Sequence, residues 1–310
     1  MHAFIESVGA YVPERVMTNA ELSAKVDTTD EWIFGHTGIS ERRIAADSEK
    51  ASDLATIAAE RALERSGVSA ESLDLILLAT STPDYVGFPS TSCIVQENIG
   101  ASRAGAMDLF AACTGFIYGL DTARAFIESG SAKRILVIGT EVFSRIVDWT
   151  DRSTCVLFGD GAGAALISAN ESKVSRIDTG ILRSQGSGAD YLFYDSAVRM
   201  KGRQVYNFAV KALCDTITEL LEGGGIQSKD VHRIVPHQAN VRIISAAANR
   251  LGLPGELFYT NMVRYANTSA ASIPIALNEM FEADMLERGN LLVTVGFGGG
   301  LTYGGNIIRW

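Results

Sequence analysis

The sequence predicts an α/β protein built from two similar halves, and three observations predict it. Strand-like apolar runs alternate with helical segments along the chain. The order of those runs repeats in the second half. The composition, 47% hydrophobic against 20% charged over 310 residues, suffices for a large buried core and for about two domains.

The elements follow in order. Met1 to Gly9 has no basic segment and no long apolar stretch, so it reads as a first strand and not as a signal peptide. A helix is expected from Ser52 to Ser66, and its charges up to Arg65 form one solvated face. The run Leu73 to Thr80 is a buried strand, and the apolar run Ala104 to Ala112 leads into Cys113 and a helix from Phe116 to Ser129. Strands are expected at Arg134 to Gly139 and Gly163 to Ser168. The polar segment Arg183 to Asp190 lacks periodicity and reads as a surface loop near the boundary between halves 1–170 and 171–310.

The second half repeats the plan. Arg233 to Pro236 stands where Leu75 to Thr80 stands in the first half, Asn290 to Gly296 matches Arg134 to Gly139, and the Gly-rich terminal strand matches Gly159 to Ser168. A helix is expected from Val241 to Arg250, and Asn267 to Ser272 has the residue types of a helix start. Two such copies packed face to face bring the ends of matching strands together, and with them Cys113 and Asn267.

Composition excludes several classes. A formal net charge of -9 argues against general nucleic-acid binding. No 18 apolar residues run together, which argues against a membrane span. Cys93, Cys113, Cys155 and Cys214 form no CxxC pair, so neither a zinc site nor a disulfide framework is expected, and the setting reads as reducing and cytoplasmic.

Three residues carry the chemistry. Cys113 lies at a strand-to-helix junction, where the positive end of a helix can lower a thiol pKa from about 8.5 and make it a nucleophile. His237 follows Ile234-Val235-Pro236 at a strand end, a place where catalytic residues collect in α/β folds. With Asn267 these make a Cys, His and Asn set, a thiol nucleophile and two neutral donors able to stabilise an oxyanion or enolate. The segment Gly296-Phe297-Gly298-Gly299-Gly300 lets a backbone N–H approach a substrate closely, as half of an oxyanion hole requires.

With those residues in place the chain resembles the β-ketoacyl-acyl carrier protein synthases III, initiating condensing enzymes of bacterial fatty acid synthesis in the thiolase superfamily. The resemblance covers essentially the whole chain. Its motifs are Asp30-Glu31-Trp32-Ile33, Thr37-Gly38-Ile39, Glu41-Arg42-Arg43-Ile44, Phe158-Gly159-Asp160-Gly161-Ala162-Gly163, Pro236-His237-Gln238-Ala239-Asn240, Asn267-Thr268-Ser269-Ala270-Ala271-Ser272 and Phe297-Gly298-Gly299-Gly300.

The resemblance implies a thiolase-like fold, two βαβαβαββ halves forming a five-layered αβαβα sandwich. It implies a homodimer that takes a short acyl-coenzyme A and malonyl-acyl carrier protein to a 3-oxoacyl product, with the coenzyme A thioester as substrate and no separate cofactor or metal. Cys113 is then acylated, His237 and Asn267 stabilise the carbanion left by decarboxylation, and the N–H groups of Cys113 and Gly299 hold the oxyanion. Trp32 and Arg152 hold the adenine, Asn240 lines the pantetheine channel, and Phe88 reaches the partner subunit's acyl pocket. Gln238, Arg242 and Arg250 are expected to dock the carrier protein.

Some positions depart from the family pattern. His36 stands where most relatives carry an arginine that contacts a phosphate, and Asn207 and Asn249 stand where lysines often face the carrier protein. The segment Tyr191 to Met200 is shorter than usual beside the acyl pocket. Gly159 to Gly163 precedes a strand and not a helix, so it is read as tight backbone packing and not as a dinucleotide fingerprint. The alternatives are a related condensing enzyme or acyltransferase of secondary metabolism, a non-catalytic acyl-holding subunit and a cysteine hydrolase. The intact Cys, His and Asn argue against the second. The duplicated halves and missing protease motifs argue against the third.

Overall fold

The computed structural model describes residues 1–310 apart from Lys173 and Thr179. The first half runs β1 (His2–Tyr11), β2 (Arg15–Thr18), α1 (Asn19–Ser23), α2 (Asp30–Thr37), β3 (Glu41–Ile44), α3 (Ala51–Ser66), β4 (Leu75–Ala79), α4 (Thr91–Asn98) and β5 (Gly105–Leu109). It continues through α5 (Gly115–Glu128), β6 (Arg134–Glu141), α6 (Arg152–Cys155) and β7 (Gly161–Asn170). The second half runs β8 (Arg176–Ile177), β9 (Ile181–Ser184), β10 (Leu192–Asp195), β11 (Ala197–Met200), α7 (Gly202–Gly223), β12 (Arg233–Pro236), α8 (Val241–Leu251), α9 (Met262–Tyr265), α10 (Ser272–Glu282), β13 (Leu291–Gly298) and β14 (Thr302–Arg309).

The duplication is visible in strand order. In the first sheet, ordered β1-β7-β6-β4-β5, β4 and β6 are parallel and β6 and β7 antiparallel. In the second, β12 and β13 are parallel, β13 and β14 antiparallel, and β14 pairs with both β8 and β9. At the edge that β5 fills in the first sheet, the second has a single bridge, Ile234 to Phe258.

The layers follow from which faces are apolar. Amphipathic α3 buries Leu54, Ala55, Ala58, Ala59 and Ala62 on the outer face of the first sheet, against Ile76, Leu78, Leu136 and Leu166. Helices α5 and α10 lie between the sheets, where Phe116, Ile117, Leu120, Ile273, Ala276 and Leu277 are fully or almost fully buried. Helices α7 and α8 cover the outer face of the second sheet through Leu213, Ile217, Ile243 and Ala247. The result is an αβαβα sandwich, as the resemblance implies. Central strands buried on both faces read as continuous apolar runs, which is why β4, β6 and β13 were legible.

Two expectations change. Arg183 and Ser184 are not loop residues. They end β9 and pair with Tyr303 and Thr302, the polar side chains facing outward on a sheet edge. Asn267 to Ser272 is not one cap: α10 begins at Ser272 after a 3-10 turn, Ser269–Ala271, with Asn267 ahead of both. The packing role of the Gly159 to Gly163 segment holds, since a methyl group on Gly163 would lie 2.7 Å from Pro274 Cβ and 2.8 Å from Ile275 N. Among the described residues no helix is long and apolar enough to cross a membrane, and no three His, Cys, Asp or Glu gather as for a metal ion.

Candidate active site

The site forms between the two sheets, where the chain leaving β5 and β12 meets the segment ahead of α10. Chain leaving β5 turns through Ala112–Thr114 into α5, placing buried Cys113 just ahead of the helix. His237 follows β12, and its N–H donates to Val295 O of the neighbouring strand at 2.8 Å. Asn267 comes from the second half but is locked to the first: its N–H donates to Leu157 O at 2.9 Å and its carbonyl accepts the Gly159 N–H at 3.0 Å.

Three of the five non-glycine residues with positive φ among the described residues flank these positions: Ala112 (46°), Ala266 (57°) and Ser269 (49°). Such backbone costs about 1–3 kcal/mol per residue and persists only where the surroundings hold it. Here both halves do. Gly139 of β6 lets the Ser269–Ala271 turn approach, since a methyl there would come 2.2 Å from Ala270 O. Thr114 Oγ1 lies 2.8 Å from Thr302 Oγ1, both donate towards Ala111 O, and Thr302 Oγ1 also reaches Gly299 O at 3.3 Å. These contacts tie the loops on either side of Cys113 to the glycine turn.

A cavity of about 210 Å³ brings Cys113, His237 and Asn267 together with Trp32, Arg152 and Asn240, and Phe297, Gly298, Leu192 and Met200 also line it. Its polar groups are aimed. Asn267 Oδ1 accepts the Ser269 N–H at 2.8 Å, which leaves the amide NH₂ as the group free to donate. Ser272 Oγ lies 2.8 Å from His237 Nδ1 and accepts the Gln238 N–H at 3.3 Å. We assign the serine proton to Nδ1, which places the ring N–H on Nε2. Burial lowers the His237 pKa to about 3, so the imidazole is neutral at physiological pH. His237 and Asn267 thus both line the cavity as uncharged side chains.

Cys113 corrects the sequence reading. It precedes a helix as expected, but burial pushes its thiol up to about 12. The Ser269 hydroxyl, which donates to Sγ at 3.3 Å, pulls the other way, and the Glu141 charge adds to the rise. Desolvation of a nearly enclosed thiolate outweighs the partial charge of one helix end. At rest the group is a thiol.

The remaining expected residues divide. Gly299 lies beside the nucleophile turn, a methyl there falling 3.7 Å from Ala112 Cβ, and its neighbour Gly298 packs on the Cys113 backbone. Asn240 caps α8 by accepting the Arg242 N–H at 2.8 Å and donates to His36 O at 3.0 Å, which joins α8 to α2 at the cavity mouth. Trp32 has two partners: the His36 ring stacks on it at 4.3 Å and the Arg152 guanidinium lies 4.8 Å from its centroid. That spacing leaves no room for a third ring between Trp32 and Arg152.

Phe88 is 89% exposed and does not line this chain's own cavity. Arg242 and Arg250 are exposed on α8. Gln238 is not available for docking. It is 1% exposed, and its amide bonds Pro236 O, Tyr259 O and the Asn261 N–H, the needs of a buried amide satisfied by backbone. Ser269 and Ser272 were missed because serine beside a helix start looks like an ordinary cap, and Thr302 because it opens a strand.

The chain is similar to known proteins along its whole length. The profile of the family described as 3-oxoacyl-[acyl-carrier-protein] synthase III matches residues 107–186, and the profile of its C-terminal part matches residues 221–310. The beta-ketoacyl-[acyl-carrier-protein] synthase III of Geobacillus kaustophilus is 50% identical over 310 residues, covering 100% of this chain and 99% of the relative. The synthase III 1 of Bacillus anthracis is 48% identical with the same coverage. The crystal structure of 3-oxoacyl-[acyl-carrier-protein] synthase III from Aquifex aeolicus superposes with a TM-score of 0.97 at 47% identity, covering 99% of this chain and 100% of that one.

Proposed function

The chain belongs to the 3-oxoacyl-[acyl-carrier-protein] synthase III family, and on that premise we propose how its residues divide the reaction. The enzyme is an acyltransferase: it joins a short acyl-coenzyme A primer to malonyl-acyl carrier protein and releases 3-oxoacyl-acyl carrier protein, the opening condensation of fatty acid synthesis. The observation that carries the division of labour is the single cavity that contains Cys113, His237, Asn267, Trp32 and Arg152.

The primer thioester enters with its adenine stacked on Trp32, after Arg152 swings off the ring face to close on the other side. Asn240 lies along the channel for the pantetheine arm. Cys113 Sγ attacks the thioester carbon, the N–H groups of Cys113 and Gly299 hold the oxyanion, and coenzyme A thiol leaves. In the second step malonyl thioester loses carbon dioxide. The His237 Nε2–H and the Asn267 NH₂ donate to the thioester oxygen that becomes an enolate, and neutral donors suffice because decarboxylation, not a base, makes the carbanion. That carbanion attacks the acyl-Cys113 carbon and the thiolate leaves. The coenzyme A thioester is consumed as a substrate and free coenzyme A is released, with no separate cofactor in these steps.

Leu192 and Met200 border the cavity from the β10–β11 hairpin and set the space for the primer. A homodimer is supported by edge strand β5 with Phe88 and Phe110, 89% and 84% exposed, which together offer an unpaired strand edge beside an apolar patch. Arg242 and Arg250, without Gln238, make the landing site for an acidic carrier protein. Four free cysteines fit a reducing cytoplasm. Turnover with a panel of acyl-coenzyme A primers and malonyl-acyl carrier protein tests this reading. Formation of 3-oxoacyl-acyl carrier protein from short primers supports it, and product from another acyl acceptor alone points to secondary metabolism.

A further inference from the structure

Glu141, the last residue of β6, is a carboxyl buried to 0% exposure immediately behind the nucleophile. One oxygen is fully engaged: Oε2 accepts from Thr82 Oγ1 at 2.7 Å, Ser81 N at 3.0 Å and Thr80 Oγ1 at 3.4 Å. The other, Oε1, is buried with no partner of hydrogen-bond geometry. The Ser269 hydroxyl and the Ala270 N–H also act on this carboxyl. Ser269 Oγ in turn lies 3.3 Å from Cys113 Sγ. Its one proton can serve either neighbour, so the same hydroxyl can donate to sulfur or accept from it.

We propose that Glu141 stores the Cys113 proton between the two halves of the reaction, receiving it through Ser269 as Sγ attacks the primer and returning it when the product leaves. This rests on the condensing function argued above. Glu141 touches neither substrate and acts only through Ser269. In the first half the Cys113 S–H bond breaks, the proton passes to Ser269 Oγ, and the serine proton passes to Glu141 Oε1. The sulfur–acyl bond forms, the bond to coenzyme A breaks, and the departing thiolate takes a proton from solvent. In the second half the carbanion displaces Cys113 as thiolate, and Glu141 returns its proton along the same path. Thiol and carboxylate are restored, so each turnover consumes one solvent proton, the one on coenzyme A.

Burial pushes the Glu141 carboxyl up to about 7, against the hydrogen bonds from Thr82, Ser81, Ser269 and Ala270. Such a group both accepts and returns a proton at physiological pH. Its charge acts on the Cys113 thiol, and the groups that meet it, Thr80, Ser81, Thr82, Ser269 and Ala270, are uncharged.

The experiment measures single-turnover acylation of Cys113 by acetyl-coenzyme A from pH 5.5 to 9, beside iodoacetamide alkylation of Cys113 without substrate. The wild-type acylation rate is expected to rise through an acid limb near pH 7. Glu141→Gln, which keeps the shape, should lose that limb and slow acylation about 100-fold. Ser269→Ala should do the same with Glu141 left in place, and it carries the test alone if a buried Gln is not tolerated. The double variant should be no slower than either single one, and alkylation should slow in parallel. Wild-type rates and an unchanged limb in both single variants, or additive losses in the double variant, overturn the proposal. If wild type alkylates with this dependence yet is never acylated by acetyl-coenzyme A, the proton store stands and the condensing function falls.

Discussion

Ser272 Oγ lies 2.8 Å from Nδ1 of His237 while accepting the Gln238 N–H. Assigning the serine proton to Nδ1 places the ring N–H on Nε2. Orientation of this kind is worth roughly 10- to 100-fold when a supporting group is removed. Ser272→Ala should lower malonyl thioester decarboxylation by about that factor while acylation of Cys113 stays near the wild-type rate. Nitrogen NMR of the His237 ring should show a mixture of tautomers in the variant and one in the wild type. A single Nε2–H tautomer in both would contradict the assignment.

Trp32 stacks on His36 and has the Arg152 guanidinium against its ring. Base–aromatic stacking is worth about 1–3 kcal/mol by alanine substitution. Trp32→Ala should therefore raise KM for acetyl-coenzyme A by roughly 5- to 150-fold with little change in kcat. Arg152→Ala should act in the same direction, and N-acetylcysteamine thioesters, which lack the adenine, should not distinguish either variant from wild type. Equal losses with the truncated thioester would place the two residues outside the nucleotide site.

Arg242 and Arg250 stand eight positions apart on α8, about 12 Å along the axis. Reversing both charges should raise KM for malonyl-acyl carrier protein and leave KM for malonyl-coenzyme A unchanged. The wild-type KM for the carrier protein should also rise with ionic strength, since exposed pairs are screened within about 10 Å at 0.1 M salt. Gln238→Ala should instead lower stability, because it unpairs buried backbone groups at Pro236, Tyr259 and Asn261.

Stability should depend on pH through two buried groups with opposite signs. His237 has its pKa lowered from 6.5 to about 3, so its contribution is present above the unfolded value and is lost as pH falls towards 3. Glu141 is raised from 4.5 to about 7, so its contribution is present below 4.5 and is lost as pH rises through 7. For Glu141 the change is about 3 kcal/mol at most. Glu141→Gln should therefore gain Tm relative to wild type as pH goes from 5 to 8, and a difference in Tm that stays flat would contradict the buried carboxylate.

Much of this was readable from residues alone, and the failures have physical causes. Cys113 and His237 follow β5 and β12, strands that apolar runs mark, while Asn267 lies between α9 and a 3-10 turn and was legible only as a helix start. Glu141 was not singled out because a glutamate closing an apolar strand looks like its solvent-exposed end; only the fold shows it enclosed by Thr82 and Ser269. The thiol of Cys113 was expected to be acidic because a helix start is visible in sequence and enclosure is not. Gln238 was expected at the docking face from the resemblance alone, and its buried amide is satisfied by backbone that only tertiary structure brings near. The strained φ values of Ala112, Ala266 and Ser269 have no signature in residue type, since glycine would mark them and glycine is absent there.

The account turns on Cys113 carrying the acyl group while His237 and Asn267 serve only the malonyl step, and intact-protein mass spectrometry reads both directly. Wild type, His237→Ala and Asn267→Ala mixed with acetyl-coenzyme A should each gain one acetyl group, and Cys113→Ala none. On adding malonyl-acyl carrier protein, the adduct should clear from wild type and persist on the other two. An adduct that survives in Cys113→Ala, or one that clears from His237→Ala and Asn267→Ala at the wild-type rate, would contradict it.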